Sequence, residues 1–258
     1  MRRRIAFILF LVVVAVWAES GAAWAVSPAV ELEGRYWITS ISGNLQVYDS
    51  SSVATDIDIK NDLKVGNKDV PDVRLIWHTG ESSWLRLAYT HLSYSGDNPS
   101  LVTPIVFNGH TYGASSHVLS SLKVDYVSLD WAWQFINIKN VVRLGTLMSA
   151  KGFWTSASLD DATAGVSESK SIDFGLPTVG ARLDINPLRL VDIFGEFSWM
   201  TAGKYGHLYD TEGGVKLTPV KYLSILGGYR IFDLTAKDNS NFAGLKIQGP
   251  FLGAALRF

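Results

Sequence analysis

The sequence predicts an all-β protein, and three features of its 258 residues support that prediction. Apolar and polar residues alternate with period two in many segments, as expected of strands with one apolar and one polar face. After the first 25 residues, long segments with the helical spacing i, i+3, i+4 and i+7 are missing from the sequence. The alternation also continues to the last residue, because Leu252, Leu256 and Phe258 share one parity.

We expect about ten strands, at residues 31–48, 70–79, 83–95, 116–133, 140–150, 174–185, 188–201, 206–219, 222–236 and 242–258. Their connections alternate between short turns and longer polar segments, of which 49–69, 96–115 and 151–173 are the longest. This layout predicts an antiparallel up-and-down β-barrel with its short turns at one end. Eight or twelve strands are also possible, because segment 102–112 could form an extra hairpin arm.

The first 25 residues have the order of a secretory signal peptide. A basic start, MRRR, precedes an apolar run at 5–18, and Ala23 and Ala25 fit a small-residue cleavage site. We therefore expect a signal peptide at 1–25 and one barrel domain at 26–258. The chain has no cysteine, which excludes disulfides and thiolate sites, and its net charge of −1 gives no reason to expect a nucleic-acid partner.

Charged residues lie deep within the predicted strands. A soluble barrel of lipocalin type would turn them to the exterior, whereas a membrane barrel would turn them to the lumen. Aromatic residues near strand ends, among them Trp77, Trp199 and Tyr222, favour the membrane barrel. The expected lumen charge network contains Glu33, Arg35, Arg74, Arg86, Lys123, Asp125, Arg143, Arg182, Asp184, Asp192, Glu196, Asp210, Glu212, Lys216, Arg230 and Arg257.

Nearly balanced signs in a confined space should pair, because an unpaired buried charge is costly. We therefore expect a largely blocked lumen. Two strands change phase along their length. The face of Lys123 and Asp125 becomes apolar further along its strand, and Lys246 shares a parity with Leu252. A β-bulge near residues 249–250 would explain the second change, and a bulge near Tyr126 would explain the first.

With this layout, and with Gly253, Leu256 and the terminal Phe258 at its end, the chain resembles the bacterial outer-membrane β-barrel class. The resemblance implies short periplasmic turns, long extracellular loops and a location in the outer membrane. It implies outer-membrane lipid as a partner, and a barrel assembly machinery that reads Gly253, Leu256 and Phe258. A closed barrel also requires the last strand to pair with the first, since lipid cannot satisfy an open strand edge.

Candidate catalytic residues form no recognisable constellation in the sequence. His91 and Ser93 have the spacing seen in one class of lipid A deacylases, but no carboxylate follows at the required distance. Another set, Asp160, Asp161, His207 and Asp210, suggests the acid and histidine clusters of outer-membrane proteases without matching their motifs. The pair Asp56 and Asp58 could hold a Ca²⁺ or Mg²⁺ ion loosely.

We therefore expect a non-enzymatic barrel, either structural or a narrow pore for small solutes, without catalytic residues, metal or cofactor. The alternatives are an outer-membrane enzyme of deacylase or protease type, and a surface-binding or adhesion protein that acts through its long loops.

Overall fold

The computed structural model describes residues 29–46, 55–238 and 241–258. The proposed signal peptide, with its cleavage residues Ala23 and Ala25, lies outside these ranges. The strands are β1 (Ala29–Gln46), β2 (Ile57–Asp58), β3 (Lys68–His78), β4 (Ser83–Asn98), β5 (Ile105–Phe107), β6 (His110–Tyr112), β7 (Val118–Ile138), β8 (Val142–Asp161), β9 (Val166–Leu188), β10 (Val191–Thr201), β11 (Gly206–Val220), β12 (Leu223–Asp238) and β13 (Asn241–Arg257).

Ten of these strands form a closed antiparallel barrel. The strands β1, β3, β4 and β7 to β13 pair in chain order, and β13 returns to pair with β1. In the closing ladder Leu32 lies opposite Leu256, and the Phe258 N–H donates to the Val30 carbonyl at 2.9 Å. Closure pairs the backbone polar groups that lipid could not satisfy. The predicted fold class, strand number and closing pair are confirmed.

Both ends of the described chain lie at one end of the barrel, which we call the inner end, together with the short turns at 79–82, 139–141, 189–190 and 221–222. The longer connections lie at the other, outer end. The segment 102–112 forms the small β5–β6 hairpin there and adds no strand to the barrel. No helix in the described ranges is long and apolar enough to cross a membrane.

One predicted loop is wrong. Residues 151–173 were expected to form a long extracellular connection, but β8 and β9 pair continuously from Val142 to Asp161 and join through a four-residue turn at 162–165. The segment is rich in Ser and Asp, a composition typical of loops. It forms strands because the outer halves of β8 and β9 pair with each other all the way to that turn.

The barrel wall has unequal height. The ladder between β9 and β10 ends at Val179 and Trp199, and β10 ends at Thr201. Beyond that level, residues 166–178 of β9 have no partner on the β10 side among the described strands. Pro177, at the end of the ladder, has no N–H to donate. We call this gap, between the free edge of β9 and the tip of the β10–β11 hairpin, the side notch.

Each strand keeps one inward face, but the chemistry of that face reverses along the barrel. In β7 the even-numbered residues are inward from Val118 to Gln134, where the register shifts: Asp130 lies toward the inner end, and Tyr126 and Leu122 toward the outer end. Inward residues are therefore charged in the inner half and apolar in the outer half. Outward residues follow the opposite order, with a belt of exposed apolar side chains that includes Leu75, Val179, Leu183, Ile193, Phe197, Val215, Ile225 and Leu252.

This reversal corrects two predictions. Lys123 and Asp125 lie on the outward face of β7, not in the lumen, and the β4–β7 ladder runs past them without a bulge. The bulge expected at residues 249–250 is also absent, since β12 and β13 pair in unbroken register there. The phase changes arise because the outward face becomes polar above the belt of exposed apolar side chains. Lys246 and Leu252 therefore share the outward face of β13.

Closure of the barrel depends on glycine at Gly249. A Cβ at this inward position would overlap the carbonyl oxygen of Ile38 on β1, whereas a Cβ at the outward Gly34 would meet nothing within 4 Å. We predict that Gly249→Ala lowers the free energy of unfolding by roughly 1–3 kcal/mol, because crowding forces the closing strands apart. Gly34→Ala, the matched control on β1, should change it little. Urea unfolding in detergent micelles measures both, and equal stability of the two variants would contradict this account.

Candidate functional site

The inner half of the lumen is filled by a network of charged side chains, here called the waist network. It contains nine bases and nine acids: Arg35, Arg74, Arg86, Arg143, Lys151, Arg182, Lys216, Arg230 and Arg257, with Glu31, Glu33, Asp72, Asp130, Asp184, Asp192, Glu196, Asp210 and Glu212. The equal numbers allow every sign to be balanced within the lumen.

Glu212 stands at the centre of this network and accepts from two arginines on the opposite wall. Arg35 Nη1 lies 3.1 Å from both carboxylate oxygens, and Arg74 Nη1 and Nη2 lie 2.8 and 2.7 Å from them. Arg74 also donates to Asp72 at 3.1 Å, and Arg35 pairs with Glu33. These paired contacts connect β1, β3 and β11 across the lumen.

A second cluster centres on Glu196. Arg86 donates to both of its oxygens, at 2.9 and 2.7 Å, and to Asp130 at 2.8 Å. Arg182 pairs with Glu196 from the neighbouring strand and with Asp184 at 2.6 Å. Each arginine thus holds two carboxylates, which balances the charges that desolvation would otherwise penalise.

A third cluster adjoins the outer half of the barrel. Arg230 donates to Asp210 at 2.9 Å and to Asp72 at 3.1 Å, and Lys151 Nζ donates to Asp210 at 2.6 Å. The free volume among these side chains is about 20 Å³. That is close to the space of a single water molecule.

Fourteen of the sixteen residues predicted for the lumen network lie on the inward face, and the other two, Lys123 and Asp125, lie outside. Asp125 instead accepts from the exposed Tyr89 hydroxyl at 2.7 Å and from His91 Nδ1 at 2.8 Å. No contact joins this pair to Ser93 in the described chain, so the spacing of His91 and Ser93 carries no catalytic arrangement.

Four members of the network are not among the residues predicted from the sequence: Glu31, Asp72, Asp130 and Lys151. Asp72 shares a parity with Arg74 two residues away, and this signal was present in the sequence. Lys151 was missed because its segment was assigned to a loop.

Above the waist network the lumen becomes an apolar chamber with a volume of about 460 Å³. This volume lies within the range of ligand pockets, about 300–1,000 Å³. Its apolar lining includes Leu92, Leu122, Val124, Phe153, Ala157, Phe174, Leu176, Phe232, Leu234 and Leu245. An apolar cavity of this kind offers water few hydrogen-bond partners.

The chamber floor is formed by aromatic rings that cover the charged waist. Trp37 donates its Nε1–H to the Gly249 carbonyl at 3.1 Å, and the Arg230 guanidinium lies 5.0 Å from its ring. Tyr126 stacks on Phe153 at 5.0 Å and turns its hydroxyl to Asp210 at 3.3 Å. Each of these two rings therefore has one polar contact and one apolar face, and separates charge from chamber.

The roof is formed by the β5–β6 hairpin together with residues 57–65. Phe107 points into the chamber, and the apolar side chains of the loop belong to the same buried cluster. The hairpin is held by hydrogen bonds from the Tyr112 hydroxyl to the Leu159 carbonyl and from Asn108 to Glu168, each at 2.9 Å. Burial, with nearby carboxylates, raises the pKa of Tyr112 to about 12, so its hydroxyl stays a donor at neutral pH.

The charged residues of the chamber lining are unbalanced. Apart from Arg230, which is paired with Asp210 and Asp72, the lining contains Lys170 and Lys237 and no carboxylate among the described residues. Both lysines are exposed and lie toward the outer end of the barrel. They make no hydrogen bond or ion pair within the described part of the chain.

The acidic loop does not bring its carboxylates together. Asp56 accepts from Asn44 at 3.1 Å, whereas Asp58 accepts the N–H groups of Lys60 and Asn61 at 2.8 Å. Burial alone would raise the pKa of Asp58, but these donors hold it below its usual value. In the described ranges no group of three His, Cys, Asp or Glu side chains could hold a metal ion.

The residues that suggested a protease cluster are also separated. Asp160 accepts from Ser167, and Asp161 accepts the Thr163 N–H at 2.8 Å in the β8–β9 turn. His207 has the outward parity of β11 and lies at the chamber rim, 4.0 Å from an oxygen of Asp233, while Asp210 belongs to the waist network.

Comparison with solved protein structures shows that this chain is similar to several of them in fold. The outer membrane protease OmpT from Escherichia coli is 9% identical, with a TM-score of 0.54 over 92% of this chain and 99% of that one. The translocator domain of the autotransporter NalP from Neisseria meningitidis is 11% identical, covering 100% and 97%, with a TM-score of 0.48. The attachment invasion locus protein Ail of Yersinia pestis is 12% identical, covering 90% and 100%, with a TM-score of 0.37.

No protein-family model matches the sequence, and no curated protein matches it. The closed barrel, its outward apolar belt and the similarity to OmpT show that the chain has the fold of bacterial outer-membrane β-barrels.

Among the carboxylates of the waist network, loss of the central Glu212 charge should lower the stability of the barrel most. We predict that Glu212→Gln lowers the free energy of unfolding by about 3–5 kcal/mol, because it leaves Arg35 and Arg74 buried and short of a counter-charge. Asp125→Asn, in the exposed pair with His91, is the control and should cost about 1 kcal/mol or less. Urea unfolding followed by tryptophan fluorescence measures both. A cost for Glu212→Gln no larger than that of the control would contradict the network's role.

Proposed function

We propose that this protein is a non-conducting outer-membrane barrel that binds an apolar small molecule or acyl chain in its outer chamber. The observation that carries the proposal is the 460 Å³ apolar chamber, which lies between the roof hairpin and the waist network. A membrane barrel that served only as a structural element would have no need of such a space.

The chamber supports ligand binding because it is already formed. Apolar surface removed from water contributes roughly 25 cal/mol per Å². A ligand that fills the chamber would meet the rings of Phe153, Phe174 and Phe232. Phe153 stacks on Phe174 with ring centroids 4.8 Å apart, and Phe232 contacts Phe153 at 5.8 Å in a tilted arrangement. Little side-chain ordering would then oppose binding.

The narrow solute pore expected from the sequence is a weaker candidate than a binding barrel. A solute crossing the lumen would have to leave the apolar chamber and separate Arg230 from Asp210 and Asp72. A barrel of ten strands is also close to the size at which side chains fill the interior.

The absence of enzymatic activity is part of the proposal. OmpT is a protease, and its likeness to this chain concerns the fold alone. The support comes from the separated positions of Asp160, Asp161, His207 and Asp210, which share no common face from which to act on one substrate.

We also propose that the closing residues are read by the barrel assembly machinery and that outer-membrane lipid surrounds the belt. Leu256 and Phe258 are outward and exposed, as a recognised segment requires. Gly253 is inward, where a Cβ would overlap the carbonyl oxygen of Gly34 and crowd Arg35.

Planar-bilayer recording tests the closed lumen. We predict no stable, porin-like conductance steps from the purified barrel, because the paired charges fill the inner half of the lumen. Glu212→Gln should give at most small, flickering currents. Stable, large steps from the unmodified protein would overturn the non-conducting part of the proposal.

Ligand binding is tested by filling the chamber. We predict that Ala157→Trp, inward on β8, lowers the affinity for a fluorescent alkyl probe by at least roughly tenfold, because the indole occupies the ligand volume. Ala150→Trp, outward on the same strand, is the matched control and should bind like the unmodified protein. Equal affinities of the two variants would contradict binding in the chamber.

A further inference from the structure

The side notch provides a lateral route into the chamber. Lys170, Ile172, Phe174 and Leu176 of β9 line the chamber on one side of the gap, and Met200 and Tyr205 line it on the other. Ile172 faces inward by its strand parity and is nevertheless 53% exposed, because no strand covers the β9 edge beside it. Apolar lining therefore reaches the outside through the wall.

The height of the notch follows from the length of β10. Its eleven residues, Val191–Thr201, rise roughly 25 Å when tilted by about 40°, which equals the apolar band of an outer-membrane barrel. Below this level the outward face of β9 carries Val179 and Leu183, and above it Ser171 and Asp173. The notch therefore opens at the level of the lipid head groups.

Positive charge marks the same opening. Lys170 is an inward residue on the free edge of β9, and Lys237, exposed and on the outward parity of β12, lies at the chamber rim near the tip of β12, beside the β10–β11 connection. Since the chamber lining holds no carboxylate among the described residues, an anion at the opening would meet two lysines there and no acidic side chain of that lining.

We infer that the ligand is a single-chain amphiphile with an anionic head group, that its acyl chain enters through the side notch, and that its head stays at Lys170 and Lys237. This inference rests on the proposed ligand-binding function and specifies its substrate class and its entrance. A free fatty acid and a single-chain phospholipid share the required chemistry, namely one apolar chain and one anionic head.

The head-group part is tested with three probes: palmitate, lysophosphatidylglycerol and the uncharged alcohol hexadecanol. The purified barrel should bind at least one anionic probe more tightly than the alcohol. The double variant Lys170→Glu/Lys237→Glu should lose about threefold in affinity for that anion per lysine replaced, and should bind hexadecanol as before. Lys170→Arg/Lys237→Arg, which keeps both charges, is the control and should retain anion binding.

The outcomes distinguish failure of the head-group inference from failure of the proposed ligand-binding function. The anion that binds more tightly identifies the source as free fatty acid or phospholipid. Equal binding of anions and alcohol, unchanged in the Glu variant, would overturn the head-group inference and leave the chamber as a binding site. Failure of all three probes to bind the unmodified protein would overturn the proposed function itself.

The entrance is tested by single cysteines, which can be labelled selectively because the sequence has no cysteine. Ile172→Cys faces the notch from the chamber side, and Ser171→Cys, its neighbour, faces outward and is the matched control. A bulky maleimide at position 172 should slow association of the bound probe by at least roughly tenfold, while the same label at 171 should leave it unchanged. Equal association rates would show that the ligand enters elsewhere.

Discussion

The structure depends on one buried carboxylate, Glu212, shared by Arg35 and Arg74 across the lumen. Desolvating charges is expensive, and the attraction between them offsets the cost only when geometry and hydrogen bonding are favourable. Here the paired contacts join strands from opposite walls, so each pair also fixes the register of its strands. The other arginine–carboxylate clusters extend this arrangement across the inner lumen.

The apolar chamber above the waist network is explained by a change in the solvent that surrounds the barrel. In the inner half the outward face meets lipid, so polar residues can only point inward. In the outer half the outward face meets water, and the inward face becomes apolar as in a soluble barrel. The chain thus joins a membrane barrel to a soluble-type barrel, and Trp37 and Tyr126 lie at their boundary.

This change of solvent also explains what the sequence could and could not predict. Strand number, closure and most waist residues follow from alternation and from the apolar end of the chain. Lys123 and Asp125 were misplaced because a single rule, polar residues inward, was applied along whole strands. Lys151 was missed because the outer half of β8, like that of β9, is rich in Ser and Asp, a loop composition, and the two form strands only through pairing with each other. The chamber could not be foreseen, since it is formed by distant inward residues and a roof hairpin.

A crystal structure of the barrel grown with a fatty acid that carries bromine on its chain tests the central claim most directly. The account predicts an anomalous bromine peak among Leu92, Phe153 and Phe232, above Trp37 and Tyr126, with the charge pairs below intact. A chamber filled by ordered water without bromine, or a bromine peak among the waist charges, would contradict it.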